Sequence, residues 1–262
     1  MADRIKAAPL SYELPPDSTP KPRRYFIADL HLDGLDTERA VRFRAFLKRL
    51  SAEAATNAIE LYIVGDLFEF WYEYRKALFE LYRNDLDALE AAWKAGLHIY
   101  LFFGNRDFAY GNYVTRRFGA TVLADGQDIT LNDSRRVWLE HGDLLCTSDH
   151  KYLRFRKIIR SLPVRLIFRI LPWSLARKSI DRIRRKSNTD KAHKPAHTLE
   201  IDMHAARRRL EAMGCRILIC GHTHQPMSED LGAGYRLIVL PPWCESAAGY
   251  MDDGNTLKPF TA

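Results

Sequence analysis

The chain has 262 residues, of which 47% are hydrophobic and 28% are charged, a balance that suits one globular domain with a sizeable core. Its formal net charge of +7 favours an anionic partner such as nucleic acid, a phosphate ester or an acidic membrane. No apolar run is long enough for a membrane-spanning helix, and the four cysteines lack the paired spacing of a zinc site, so we expect reduced thiols in a reducing compartment.

The first segment, residues 1–22, contains five prolines and scattered charges but no continuous apolar stretch like that of a signal peptide. We expect it to form a disordered or loosely docked leader. A core in two parts, residues 23–150 and 198–262, should follow, interrupted by a basic helical cap over residues 151–197. The protein is therefore expected to be cytoplasmic, or peripheral on the inner face of a membrane.

The core alternates between strand and helix patterns. Apolar runs predict strands over residues 24–28, 59–64, 99–103, 136–140, 216–220 and 236–240. Apolar residues at helical spacing predict helices over residues 37–56, 68–97 and 198–212, the second with a buried stripe of Leu78, Leu81, Tyr82, Leu86, Leu89 and Trp93. Residues 122–131 and 136–140 resemble a hairpin. The order of elements predicts an α/β sandwich of sheets flanked by helices.

Five of the predicted strands are followed closely by Asp, His or Asn, side chains that bind divalent metals. These residues are Asp29, His31, Asp66, Asn105, His141, His222 and His224. Because ligands of open α/β sheets bind at the carboxyl ends of the strands, we expect the seven to form one site. Two metal ions need a shared carboxylate, for which Asp66 is the natural candidate. A mixed nitrogen and oxygen set without thiolates suits Mn²⁺, Fe²⁺ or Zn²⁺.

These motifs resemble, in order from Asp29 to His224, the signature set of the calcineurin-like metallophosphoesterases. The resemblance implies an αββα β-sandwich with an inserted helical cap and two divalent metal ions. By this resemblance one metal would bind Asp29, His31, Asp66 and His224, and the other would bind Asp66, Asn105, His141 and His222. Asp66, Asn105 and His141 would also be catalytic, together with Arg106. Mn²⁺ is the expected metal, while Fe²⁺, Zn²⁺ and Mg²⁺ stay open.

The third motif departs from the general family pattern, because Arg106 stands where a histidine usually protonates the leaving group. Arginine stays protonated and cannot act as a general acid, but its planar fork binds phosphate in a bidentate manner. A phosphate leaving group needs no proton. Arg106 therefore points to cleavage of a diphosphate.

The chain resembles the subfamily that shares this arginine, the UDP-2,3-diacylglucosamine hydrolases of lipid A synthesis. Residues 26–32 and 141–149 are similar to the sequences of that subfamily. The resemblance implies hydrolysis of a UDP-linked lipid to UMP and 2,3-diacylglucosamine 1-phosphate. The expected substrate contacts are Asn105, Arg106, Asp149, Tyr152, Arg184, Ser187, Lys191, Lys194 and His222. Departures at Ser148, residues 186–197 and residues 71–75 leave an alternative, a related hydrolase of another lipid-linked or nucleotide diphosphate, or of a phosphodiester such as nucleic acid.

The positive charge is concentrated in residues 151–194, which hold fifteen Lys or Arg against two acidic residues. One interpretation is a cap whose apolar faces pack on the core. The other is a basic, Trp-bearing surface that lies on anionic lipid or receives an amphiphilic substrate. Nucleic acid is not favoured, because the usual nucleic-acid-binding signatures are missing. We expect an amphiphilic nucleotide-diphosphate lipid as substrate and the anionic inner membrane of a Gram-negative cell as partner. The oligomeric state stays open, with a monomer expected.

Overall fold

The computed structural model describes residues 21–73, 75–175, 177–179, 182, 198 and 200–262. The predicted leader, apart from its last two residues, lies outside this part of the chain. So do four of the predicted substrate contacts, Arg184, Ser187, Lys191 and Lys194.

The first sheet has six strands: β1 (Arg23–Ile27), β2 (Ile59–Ile63), β3 (His98–Leu101), β4 (Thr121–Val122), β10 (Ala248–Asp252) and β11 (Leu257–Thr261). They lie in the order β11-β10-β1-β2-β3-β4. Strands β1 to β4 are parallel, and β10 joins β1 in the antiparallel direction.

The second sheet has five strands: β5 (Gln127–Thr130), β6 (Arg136–Leu139), β7 (Ile217–Cys220), β8 (Met227–Asp230) and β9 (Arg236–Val239). Their order is β5-β6-β7-β9-β8, with β6, β7 and β9 parallel and antiparallel strands at both edges. The parallel strands of both sheets carry the predicted site residues at their carboxyl ends.

The helices with assigned bounds are α1 (Glu38–Ala54), α2 (Lys76–Leu81), α3 (Arg83–Lys94), α4 (Asn112–Phe118), α5 (His150–Ile159), α6 (Leu162–Ile170), α7 (Met203–Met213) and α8 (Trp243–Ser246). Among the described residues, no helix is both long and apolar enough to cross a bilayer.

The core lies in three layers because side chains alternate between the faces of each strand. In β1, Tyr25 and Ile27 join a cluster that includes buried residues of α1, α3 and α4. Phe26 joins the cluster between the two sheets. In β7, Leu218 faces a third cluster that contains Leu210 of α7. The predicted αββα fold is thereby confirmed.

The single helix predicted over residues 68–97 is wrong. The chain forms α2 and α3 instead, and residues 68–73, which precede them, form an irregular segment. The reason is that backbone groups of this segment bond to neighbouring loops: the backbone N–H of Glu69 donates to the carbonyl of Leu32, and that of Trp71 to the carbonyl of Arg106. Two residues of the predicted buried stripe are exposed, Leu81 at 44% and Trp93 at 40%.

The predicted hairpin is only partly correct. Thr130 pairs with Arg136 in the β5–β6 hairpin, but Val122 belongs to β4 in the other sheet. The helix predicted from residue 198 is assigned only from Met203, because the Asp202 side chain caps its first turn by accepting from the backbone N–H of Ala205.

Candidate active site

All seven predicted metal-binding side chains meet where the two sheets present the carboxyl ends of their parallel strands. The loops after β1, β2 and β3 bring Asp29 with His31, Asp66, and Asn105, while the loops after β6 and β7 bring His141, and His222 with His224. The site is therefore shared by both sheets. This geometry agrees with the prediction that the seven residues lie together. Their roles as metal ligands stay a prediction.

One half of the site is formed by Asp29, His31 and His224. The Nε2 atoms of the two histidines lie 3.2 Å apart. Asp29 Oδ1 lies 3.5 Å from Nε2 of His224 and 3.9 Å from Nε2 of His31. Three ligand atoms thus face one small volume, as a cation site requires.

The other half is formed by Asn105, His141 and His222. Asn105 Oδ1 lies 3.2 Å from His141 Nε2 and 3.0 Å from His222 Nδ1. Asp66 stands between the halves, because its Oδ2 atom is 3.7 Å from Nε2 of both His31 and His141. This equal spacing is the geometry expected of a bridging carboxylate.

The backbone is held in the left-handed region at most of these positions. Five of the seven residues have positive φ angles: Asp29 (56°), His31 (49°), Asp66 (53°), His222 (74°) and His224 (58°). Non-glycine residues rarely adopt this conformation, which costs of the order of 1–3 kcal/mol each and concentrates at functional sites. The fold is therefore less stable than it could be, and the strained backbone conformations set the directions of these side chains.

The loops that carry Asp66 and Gly104 approach each other closely, which explains why the third motif has a glycine. A Cβ atom on Gly104 would lie 2.0 Å from Asp66 Oδ1 and 2.3 Å from the Asp66 backbone nitrogen. Asp107 stabilises this contact between the loops, because its carboxylate accepts from the backbone N–H groups of Asp66, Gly104 and Phe68, each at 3.1 Å. Burial, and then the charge of Asp66, raise the pKa of Asp107 to about 6.

Each of three histidines has an oxygen near the ring nitrogen that points away from the site. His141 Nδ1 lies 3.0 Å from the carbonyl of Val64, and His31 Nδ1 lies 3.2 Å from Glu69 Oε2. His224 Nδ1 lies 3.6 Å from Glu245 Oε1. Outer oxygens of this kind fix the tautomer that leaves Nε2 able to bind a metal.

The donor set fits divalent cations. Asp29 and Asp66 are almost completely buried, and Asp29 Oδ1 has no hydrogen-bond partner among the described residues. Burial raises the pKa of Asp29, but the imidazoles of His224, His141 and His31 outweigh burial and hold that pKa well below its usual range. Burial lowers the pKa of His141, but the carboxylates of Asp66 and Asp29 raise it overall. Buried carboxylates compensated by neighbouring imidazoles are groups that two cations would stabilise.

Arg106 lies beside the bridging position. Its backbone N–H donates to Asp66 Oδ1 at 2.9 Å, and its Nη1 donates to Glu69 Oε1 at 2.9 Å. The guanidinium has five N–H donors, and its contact with Glu69 uses one of them, so among the described residues it keeps capacity for a phosphate.

The predicted substrate contacts near α5 have internal partners. Asp149 accepts from the backbone N–H of Tyr152 at 3.1 Å and so caps the helix. The Tyr152 hydroxyl donates to Asp143 Oδ2 at 2.5 Å, and its ring lies 6.0 Å from that of His222. Sequence reasoning missed Asp143, although it sits in the His-Gly-Asp motif. Burial raises the pKa of Asp143, but His141, His222 and Arg156 hold it well below its usual range.

The described part of the predicted cap contacts the rest of the structure at two places. At α5, Arg156 Nε donates to Asp143 Oδ2 at 2.7 Å, and Arg160 Nη2 donates to the carbonyl of Gly104 at 2.8 Å. At the end of α6, Arg75 Nη2 donates to the carbonyl of Leu171 at 2.6 Å.

Arg75 also donates to the carbonyl of Phe168, and the Tyr72 hydroxyl donates to that of Arg165. The irregular segment after β2 therefore binds the carbonyl end of α6, whose unsatisfied carbonyls attract a cation.

The surface of the cap combines both interpretations made from the sequence. Phe168 and Trp173 are partly buried and pack against the core. Large apolar residues of α6 nevertheless face outward, with Leu162 at 67% and Ile170 at 82% exposed. An exposed apolar face with interspersed arginines is typical of surfaces that meet lipid.

Comparison with known proteins gives a consistent result. The family model for calcineurin-like phosphoesterases matches residues 22–226. A UDP-2,3-diacylglucosamine hydrolase from Aeromonas hydrophila is 36% identical over 226 residues, which cover 85% of this chain and 91% of that protein. Another from Azotobacter vinelandii is 36% identical over 239 residues, or 89% and 97% of the two chains. Among solved structures, a dimetal phosphatase from Danio rerio aligns with a TM-score of 0.47 at 12% identity over 93% of this chain and 99% of that chain, a likeness too distant to bear on function.

Proposed function

Because the chain belongs to the calcineurin-like phosphoesterase family, we propose that it hydrolyses the diphosphate of UDP-2,3-diacylglucosamine, giving UMP and 2,3-diacylglucosamine 1-phosphate. Family membership makes it a metal-dependent hydrolase of phosphate esters. The relatives of that name span most of the chain, so the alternative of a nucleic-acid or generic phosphodiesterase is not favoured.

The observation that carries the proposal is Arg106 beside the carboxylate and imidazole cluster. Its guanidinium, which contacts Glu69 Oε1, cannot give a proton to a leaving group, but it can hold a diphosphate oxygen. In the proposed reaction a water oxygen bonds to the α-phosphorus and the protons of that water pass to solvent, while the bond from that phosphorus to the bridging oxygen breaks. The electron pair stays on the bridging oxygen, which leaves as part of a phosphate and needs no general acid.

We assign the metal sites as the family resemblance implies. Asp29, His31, Asp66 and His224 would hold one divalent cation, and Asp66, Asn105, His141 and His222 would hold the other. When bound, two such cations neutralise charge on phosphoryl oxygens and lower the pKa of a water. Mn²⁺ is proposed, as in the sequence analysis, and the mixed nitrogen and oxygen set also suits Fe²⁺ or Zn²⁺.

The remaining roles fall to binding and orientation. Asn105 and His222 line the half of the site next to Tyr152 and would contact the substrate phosphates together with Arg106. Tyr152, Asp149 and the cap would hold the nucleotide and sugar. The outward apolar residues of α6 would meet the acyl chains or the anionic inner face of the inner membrane.

A direct test uses purified protein, Mn²⁺ and UDP-2,3-diacylglucosamine, scored for UMP release. Bis-p-nitrophenyl phosphate and single-stranded DNA serve as competing substrates. UMP release that disappears in Asp66→Ala supports the proposal. Turnover of the generic diester or the DNA alone would refute the lipid substrate while leaving a working metal site.

A further inference from the structure

Glu69 occupies a position between the two functional parts of the site. Its Oε2 atom lies 3.2 Å from Nδ1 of His31, and its Oε1 atom accepts from Nη1 of Arg106 at 2.9 Å. The side chains of Glu69 and Arg106 are each only 15% exposed, so solvent screens this pair weakly. The Glu69 backbone N–H donates to the carbonyl of Leu32 at 2.7 Å, which fixes the residue against the loop that carries His31.

Both neighbours of this carboxylate are hydrogen-bond donors. Arg106 has no acceptor atom. His31 directs Nε2 into the cluster, 3.2 Å from His224 Nε2 and 3.7 Å from Asp66 Oδ2, so Nδ1 must carry the proton when Nε2 offers its lone pair to a cation. His31 Nδ1 is buried and has no hydrogen-bond partner among the described residues, and Glu69 Oε2 lies 3.2 Å from it.

We propose that Glu69 is a positioning residue that links the metal-binding imidazole of His31 to the phosphate-binding guanidinium of Arg106. One oxygen fixes the tautomer of His31, and the other fixes the direction of the guanidinium. The carboxylate thereby sets where the diphosphate lies relative to the cation. The half of this inference that concerns Arg106 rests on the proposed function, whereas the half that concerns His31 rests only on the metal site.

The chemistry of the two donors makes Glu69→Gln the informative substitution. Glutamine has the same length, but its amide offers one acceptor oxygen and one donor nitrogen. Either orientation therefore directs an N–H group at a donor, so one of the two links is lost. Loss of an outer partner of a metal-binding histidine typically weakens metal binding or activity by about 10- to 100-fold.

Glu73 provides the matched control. It lies in the same segment, and its carboxylate accepts from the backbone N–H of Gly111 and, at 2.5 Å, from that of Tyr113 at the start of α4. These are structural hydrogen bonds with no contact to the predicted ligands. Glu73→Gln should lower the midpoint of thermal unfolding and leave metal binding unchanged.

The first experiment titrates Mn²⁺ into metal-free full-length wild type, Glu69→Gln and Glu73→Gln by calorimetry. We expect Glu69→Gln to bind one of two Mn²⁺ ions about 10- to 100-fold more weakly, with Glu73→Gln like wild type. Wild-type affinity in Glu69→Gln, an equal loss in Glu73→Gln, or a Glu69→Gln protein that does not fold would each overturn the proposal. This readout needs no substrate, so it stands apart from failure of the proposed function, which would appear as wild type that releases no UMP.

The second experiment measures KM and kcat for the UDP-linked lipid at saturating Mn²⁺ in Glu69→Gln, Arg106→Ala and the double variant. We expect KM to rise in Glu69→Gln, and the added effect of Glu69→Gln to shrink when Arg106 is already absent. Fully additive effects on KM would overturn the link between the two residues.

Discussion

Removal of the Arg75 guanidinium should release the carbonyl end of α6 from the core. In the structure this group donates to the carbonyls of Phe168 and Leu171. A hydrogen bond to a charged group contributes about 1.5–3 kcal/mol. Because two bonds from one group are not additive, we expect Arg75→Ala to lose about 2–3 kcal/mol of local stability, which raises the open population of α6 roughly 30- to 150-fold.

Hydrogen exchange measures this opening directly. Amides of α6 in Arg75→Ala should exchange faster by that factor, while amides of β2 and α1 should keep their wild-type rates. KM for the UDP-linked lipid should rise, and KM for bis-p-nitrophenyl phosphate, which has no acyl chain, should not.

A surface arginine gives the control for this prediction. Arg83 pairs with Glu80 and its side chain is 61% exposed, so Arg83→Ala should have almost no effect. Unchanged exchange in α6 of Arg75→Ala, or equal acceleration in Arg83→Ala, would refute the reasoning.

Three further predictions concern the site and the stability of the fold. Arg106→Ala should lower kcat for the UDP-linked lipid about 10²- to 10³-fold with metal content unchanged by elemental analysis, and lost metal would show that its role is misassigned. Gly104→Ala should bind less than the wild-type amount of Mn²⁺, because its Cβ would lie 2.0 Å from Asp66 Oδ1; full occupancy would contradict the close approach. Burial, and then the charge of Glu53, raise the pKa of Tyr25 to about 12, so the unfolded chain loses this proton first. The stabilisation of the folded state by the protonated Tyr25 hydroxyl is complete below about pH 10 and is lost as the pH rises through 12. Urea unfolding should therefore show that the free energy of unfolding declines less steeply over this window in Tyr25→Phe.

The position of the site was predictable from the sequence because its residues follow strands at short range. Asp29, Asp66 and His141 each come within a few residues of a strand end, and parallel strands present those ends at one edge. No long-range information is needed for that inference. The resemblance to known motifs then identified which of the polar residues belong together.

Contacts between distant segments could not be predicted in the same way. Residues 68–73 have apolar residues at helical spacing, yet their backbone bonds to the loops that carry Leu32 and Arg106, so tertiary pairing overrode local preference. The bonds of Arg75 and Tyr72 to α6 span more than ninety residues of sequence. The position of Glu69 between His31 and Arg106 likewise arises only when three loops fold together.

In the proposed reaction, water attacks the α-phosphorus of a UDP-linked diphosphate. Hydrolysis of UDP-2,3-diacylglucosamine in water enriched in ¹⁸O, followed by mass spectrometry of both products, shows which phosphorus is attacked. We expect one ¹⁸O atom in UMP and none in the lipid phosphate. Label in the lipid phosphate, or no release of UMP by the metal-loaded protein, would contradict it.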